Sequence, residues 1–169
     1  MSEGFELRNT PGKGEGVFAT RSFRIGDTVM VGVIEKVLEG NHSHASQISE
    51  KAYVFHGGLV PKVNHSCDPN CGIHVNETNA HDFVAIKKIF PGDEITFDYA
   101  MRNYSIDYFG SLCQCGAENC RGRITGWKDL PEAFKKKYAG FIAPYLLDLD
   151  RRKESGSYTV SGSSPFARN

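Results

Sequence analysis

Three cysteines, Cys113, Cys115 and Cys120, fall within eight residues in the stretch "CQCGAENCRG". Thiolates at this spacing, with Gly116 and Gly122 permitting tight turns, can wrap one metal ion. A structural zinc site takes four protein ligands, and this segment supplies three. The chain has five cysteines, so a fourth sulfur must come from Cys67 or Cys71, both in "VNHSCDPNC" (63–71). The odd count, together with a polar N-terminus that lacks the apolar core of a signal segment, argues against a disulfide framework. The pattern therefore brings two loops that are distant in sequence together around zinc. The second loop also carries Asn64, His65, Asp68 and Asn70, a density of hydrogen-bonding groups that suits neither helix nor strand.

The elements that must position these loops are mostly strands. "GVFATRSF" (16–23) and "TVMVGVIEKVL" (28–38) are rich in Val, Ile, Phe and Thr and are separated by Gly26-Asp27, which predicts two strands. "HDFVAIKKIF" (81–90) and "DEITFDYA" (93–100) read as two strands around the Pro-Gly turn at 91–93. "GNHSHASQIS" (40–49) is polar and reads as irregular. After Trp127 the pattern becomes helical. Asp129 and Glu132 have capping-box spacing with Pro131 in the first turn. Phe134, Tyr138, Phe141 and Tyr145 recur at helical intervals and form a face that covers the core. Gly140 and Pro144 divide this region into two short helices. From Arg151 onward the chain is Gly/Ser-rich and reads as a mobile tail.

With 169 residues, 40% hydrophobic and 24% charged, the chain is long enough for one domain with a sizeable core. No apolar run approaches the ~20 residues of a membrane span, so a soluble, intracellular protein is expected. The net charge is zero, with +3 on residues 151–169 and −3 on the rest. No concentrated basic face is present, and direct nucleic-acid binding is not expected. The run Lys135–Lys137 reads as a solvated helix face.

Four segments, "GKGEGVFA" (12–19), "NHSCDPN" (64–70), "GDEITFDY" (92–99) and "CQCGAENCRG" (113–122), resemble in order the signature segments of SET-domain protein lysine methyltransferases with a post-SET zinc segment. The resemblance spans roughly residues 4 to 125. It implies a mainly β fold with short helices, built from several small sheets with pseudoknot-like threading. Residues 4–110 would form the SET domain, 111–126 the zinc segment, 127–150 a helical cap and 151–169 a flexible tail. Lys13, Gly14, Glu15, Gly16, Asn64, His65, Tyr99 and Leu112 would contact S-adenosylmethionine, with Leu112 against the adenine. Cys67 would complete the zinc site of Cys113, Cys115 and Cys120, leaving Cys71 as a small buried or semi-buried thiol. Tyr99 matches the catalytic tyrosine and Phe97 a wall of the lysine channel.

The implied reaction is methyl transfer to a lysine side chain of a protein substrate, a histone or another basic protein. Only the neutral amine can attack, so a lysine of ordinary pKa ~10.4 must first lose a proton, which a narrow apolar channel favours. Phe97 in place of a tyrosine leaves room to turn a partly methylated amine, which predicts di- or trimethylation. Relatives carry a Tyr-x-Gly-type segment where this chain has "MVGVIEKV" (30–37), and Tyr53 is a possible substitute. The alternative function is a catalytically inactive SET-fold binding module that keeps the zinc site.

Overall fold

A computed structural model describes residues 4–107 and 112–157 of the chain. Strands β1 (Phe5–Thr10) and β2 (Gly14–Ala19) form an antiparallel hairpin, with Phe5 opposite Ala19 and Thr10 opposite Gly14. Gly14 has φ +74°, a left-handed conformation that a side chain would oppose. Alternation along β2 buries Val17 and Ala19 completely.

The Val-rich run 28–38 forms two strands, β3 (Thr28–Met30) and β4 (Ile34–Leu38). The break is at Gly32. Its N–H donates to Asp82 Oδ1 at 2.8 Å. Its α-carbon lies so close to the next strand that a Cβ would sit 2.2 Å from the His81 carbonyl oxygen. Strand β4 is an edge of a three-stranded sheet with β6 (Ala52–His56) at its centre and β5 (Ser46–Ser49) beyond it. The expectation that 40–49 is irregular therefore fails for its last four residues. Their polar side chains are satisfied inside the fold: Ser46 Oγ meets His56 Nδ1 at 2.8 Å, and Gln47 Oε1 accepts the Tyr104 N–H at 3.0 Å.

The two-residue strand β7 (Asn64–His65) runs parallel to β10 (Thr96–Phe97). A second three-stranded sheet contains β8 (Cys71–Val75) and β9 (His81–Ala85), with β9 between β8 and β3. The strands expected at 81–90 and 93–100 are shorter than predicted and do not pair with each other. The Pro-Gly turn, closed by Asp93 N–H to Phe90 O at 3.0 Å, turns the chain toward older partners: Ile89 bridges Phe23 and Glu94 bridges Phe18. After Phe97, the Asp98 carboxylate accepts the Ala100 N–H at 3.1 Å and caps a 3-10 turn at Tyr99–Met101.

Helices α1 (Glu132–Lys137) and α2 (Tyr145–Ser157) follow a 3-10 turn at Trp127–Asp129. The break between the helices falls where Gly140 and Pro144 place it. The expected capping box does not form, because Asp129 is spent in the preceding turn and Pro131 takes the cap position with no side-chain hydrogen bond. Helix α2 runs seven residues past the boundary expected at 150. Asp148 suits its first turn, and Arg152 pairs with Glu50 at 2.8 Å. The remainder of the expected tail, 158–169, lies outside the described residues.

One hydrophobic core unites strands and cap. Val17, Phe23, Ile73, Phe83, Ile95 and Phe97 pack in the same cluster as Trp127, Leu130, Tyr138, Ile142 and Leu146. Among the described residues no helix is long and apolar enough to cross a membrane.

Candidate functional site

A cavity of about 620 Å³ opens where four segments meet. The β1–β2 turn supplies Gly12, Lys13, Gly14 and Glu15; the segment before β5 supplies Ser43 and His44; residues 61–65 supply Pro61, Lys62, Asn64 and His65; and the cysteine segment supplies Leu112 to Cys115. Tyr99 and Ile124 complete the wall. Its size lies in the range of small-molecule sites. Its wall combines cations, carboxylate, backbone groups at a left-handed glycine and apolar surface from Leu112, Pro61 and Ile124. That mixture suits a ligand with a zwitterionic end and a flat ring.

Of the residues expected to hold the cofactor, Lys13, Gly14, Glu15, Asn64, His65, Tyr99 and Leu112 all line this cavity. Gly16 does not: it sits behind the wall, where a Cβ would be 2.6 Å from Glu94 and 2.9 Å from Asn64. Phe97 is completely buried and also absent from the wall. Its ring lies 5.0 Å from that of Tyr99 and 4.8 Å from that of Phe83, so it backs the tyrosine. Tyr53 lies in the middle strand of the β4-β6-β5 sheet, away from the wall. The Tyr99 hydroxyl donates to Val63 O at 3.3 Å.

Glu94 organises the cavity from behind. It takes the Lys13 ammonium at 2.6 Å and the Asn64 side-chain N–H at 2.8 Å, while the same Asn64 amide donates to Glu15 O at 3.1 Å. His65 is fixed at both ring nitrogens. The Tyr99 N–H donates to Nδ1 at 3.2 Å, so Nε2 carries the proton and faces Cys67 Sγ at 3.4 Å. Burial holds His65 neutral, with its pKa down to about 4 despite the opposing charge of Asp98.

The sulfurs of Cys67, Cys113, Cys115 and Cys120 all lie within 4.8 Å of one another. Cys67 Sγ and Cys113 Sγ are 3.9 Å apart, against about 3.8 Å expected between two sulfurs of a tetrahedral zinc site. Backbone N–H groups already point at these sulfurs: Cys67 N to Cys115 Sγ at 3.5 Å, Arg121 N to Cys67 Sγ at 3.4 Å and Gly122 N to Cys120 Sγ at 3.4 Å. Burial pushes the Cys67 thiol up to about 11, whereas at Cys115 the backbone N–H groups of Cys67 and Ala117, with the thiols of Cys113 and Cys120, together outweigh burial and bring it down to about 7. A bound dication favours the thiolate at every position. The donor set, spacing and N–H support fit one zinc ion. Cys71 is the buried thiol left over.

Sequence reasoning missed a buried hub beside this site. Asp98, between Phe97 and Tyr99, is completely buried. Arg121 Nη1 lies 2.7 Å from its Oδ2, Arg121 Nη2 donates to Oδ1 at 3.1 Å, and the Tyr138 hydroxyl donates to Oδ2 at 3.0 Å. The only signal in the sequence was an acidic residue inside an apolar strand segment, which by itself names no partner.

The SET domain family model matches residues 14–100. Among curated proteins, the chain is 43% identical over 79 residues to "Histone-lysine N-methyltransferase Set2" of Drosophila melanogaster, covering 45% of this chain and 3% of that one. It is 30% identical over 149 residues to "Histone-lysine N-methyltransferase ATX2" of Arabidopsis thaliana, covering 73% of this chain and 14% of that one. The chain thus spans only a small part of these relatives. Among solved structures, that of KRYPTONITE in complex with mCHH DNA, H3(1-15) peptide and SAH aligns with TM-score 0.55 and 26% identity, over 71% of this chain and 29% of that one.

Proposed function

The chain belongs to the SET domain family, and on that premise we propose that it is an S-adenosylmethionine-dependent methyltransferase acting on lysine side chains of a protein substrate. The observation that carries this reading is the convergence of Lys13, Gly14, Glu15, Asn64, His65, Tyr99 and Leu112 on one cavity beside a four-cysteine cluster. The solved relative's complex with SAH, the demethylated form of that cofactor, supports the choice of ligand.

S-adenosylmethionine supplies an electrophilic methyl group when bound. The residues of this chain would do the rest. Lys13 and the backbone at 14–15 would meet the cofactor's charged end, with Glu94 holding Lys13 and Asn64 in place. Leu112 would cover its ring. Tyr99, backed by Phe97, would align the neutral lysine amine, and exclusion of water would disfavour the ammonium. Holding the amine in line supplies most of the rate gain in such a site. Phe97 lies behind Tyr99, off the cavity wall; the product we propose, di- or trimethyl-lysine, rests on the resemblance of "EITFDY" to the family pattern. Zinc would tie Cys67 to the cysteine segment and is structural.

The relatives' names support a histone as one substrate to try. Labelled cofactor should be incubated with a protein lysate and a peptide array, and modified residues identified by mass spectrometry. Label on lysine, with more than one methyl per side chain, is the expected result. Cofactor binding without transfer to any lysine would instead favour the inactive binding module.

A further inference from the structure

Helix α1 grips both cysteine-bearing loops. Lys137 pairs with Asp68 at 2.9 Å, next to Cys67. The Tyr138 hydroxyl, at the helix's C-terminal end, reaches Asp98 Oδ2 at 3.0 Å and lies 3.4 Å from Cys67 O. Phe134 presents its ring to the Arg121 guanidinium at 4.8 Å. Arg121 directly follows the zinc-site residue Cys120, its own N–H faces Cys67 Sγ, and its side chain pairs with Asp98. One buried carboxylate therefore joins the residue before Tyr99, the end of the cysteine segment and the C-terminal cap.

We propose that Tyr138 is a positioning residue that holds the cysteine segment closed against the cavity, acting through Asp98 and Arg121. A metal ion fixes four sulfurs relative to one another. It ties the cysteine segment to Cys67 at one point and does not fix the tilt of that segment against the sheets, and Leu112, Cys113, Gln114, Cys115 and Ile124 form one wall of the cavity. The tilt is set by Asp98, which is anchored in the core and takes the Arg121 fork. A fork alone can rock about the carboxylate. The Tyr138 donor on Oδ2 and the Phe134 ring against the guanidinium remove that freedom.

The effect on catalysis rests on the methyltransferase reading; closure of the segment does not. Tyr138→Phe keeps the ring and removes the donor, and Arg121→Lys keeps the charge and removes the fork. Zinc-loaded full-length wild type and both variants should be compared by amide hydrogen exchange, metal content, cofactor calorimetry and steady-state kinetics. Loss of a hydrogen bond to a charged group should speed exchange in residues 112–124 roughly 10- to 100-fold. Exchange in β8 and β9 should hold at the wild-type rate and zinc should remain near one per chain. KM for the cofactor should rise while kcat at saturation is retained. Unchanged exchange in 112–124 in either folded variant would overturn the proposal, as would equal acceleration throughout the chain. A wild type that binds no cofactor would defeat the methyltransferase reading, while the exchange rates would still decide whether Tyr138 closes the segment.

Discussion

His65 connects two functions because each ring nitrogen has its own partner. Nδ1 takes the Tyr99 N–H and Nε2 faces Cys67 Sγ, so the zinc site and the cavity share a side chain. Removing zinc should therefore loosen the cavity. Cys115→Ser, or chelation, should lower zinc from near one per chain and weaken cofactor binding about 10-fold or more, as outer contacts of metal sites commonly do. Metal analysis and calorimetry on the same sample check this, and an unchanged affinity after verified metal loss would contradict the link. The cysteine cluster was legible in the sequence because few residue types ligate metals and their spacing is restrictive, whereas the Asn64-His65 pair stood out only through the family resemblance of "NHSCDPN". Glu94, Asp98, Arg121 and Tyr138 were not. They are common residue types whose role appears only once the chain brings positions 98, 121 and 138 together.

Among the elements, punctuation was easier to read than pairing. Pro91-Gly92 turns the chain and Gly140 with Pro144 divides the helices, because these residues restrict the backbone locally. The partners of β9 and β10 were not readable: β3 and β7 lie far away in sequence, and β8, the near neighbour of β9, was not foreseen as a strand. The split at Gly32 depends on the close approach of His81, which no local pattern encodes. The length of α2 was missed because Gly156 and the flanking serines resemble tail composition, whereas Arg152 and the buried Leu146 tie the helix to the body. Leu146 is completely buried in the core shared with Phe97 and Trp127. Leu146→Ala should cost about 2–5 kcal/mol, read as a lower midpoint in denaturant unfolding. A loss below about 0.5 kcal/mol, the size typical of surface changes, would show that the cap does not complete the core.

At the scale of the whole molecule, a buried histidine pair makes stability depend on pH. His56 donates from Nδ1 to Ser46 Oγ and accepts the His81 N–H on Nε2, at 2.8 and 3.0 Å. The two rings stack at 5.4 Å, and among the described residues neither ring nitrogen of His81 has a hydrogen-bond partner. Burial, with the nearby charge of Arg102, brings His56 down to about 4 and His81 well below its ordinary value. The unfolded chain, with histidines near ~6.5, thus binds protons more readily than the folded one. The stability these residues contribute is fully present above about pH 6.5 and is lost as the pH falls toward 4. His81→Phe keeps the stacked ring and removes one titrating group. It should reduce the slope of stability against pH in that window by up to about 1.4 kcal/mol per pH unit. Identical slopes for the variant and wild type in urea unfolding across the window would contradict this.

Methyl transfer at Tyr99, as proposed, is tested most directly by a paired measurement on wild type and Tyr99→Phe. Cofactor affinity by calorimetry and single-turnover transfer of labelled methyl to a lysine substrate should be read on the same preparations. The hydroxyl is one aligning group on a ring that Phe97 and His65 hold in place, at centroid distances of 5.0 and 5.3 Å. The variant should keep its affinity for the cofactor and lose transfer roughly 100-fold or more, the scale seen when one oriented donor is removed from a reaction centre. Transfer at the wild-type rate in Tyr99→Phe, with cofactor bound normally, would contradict the account.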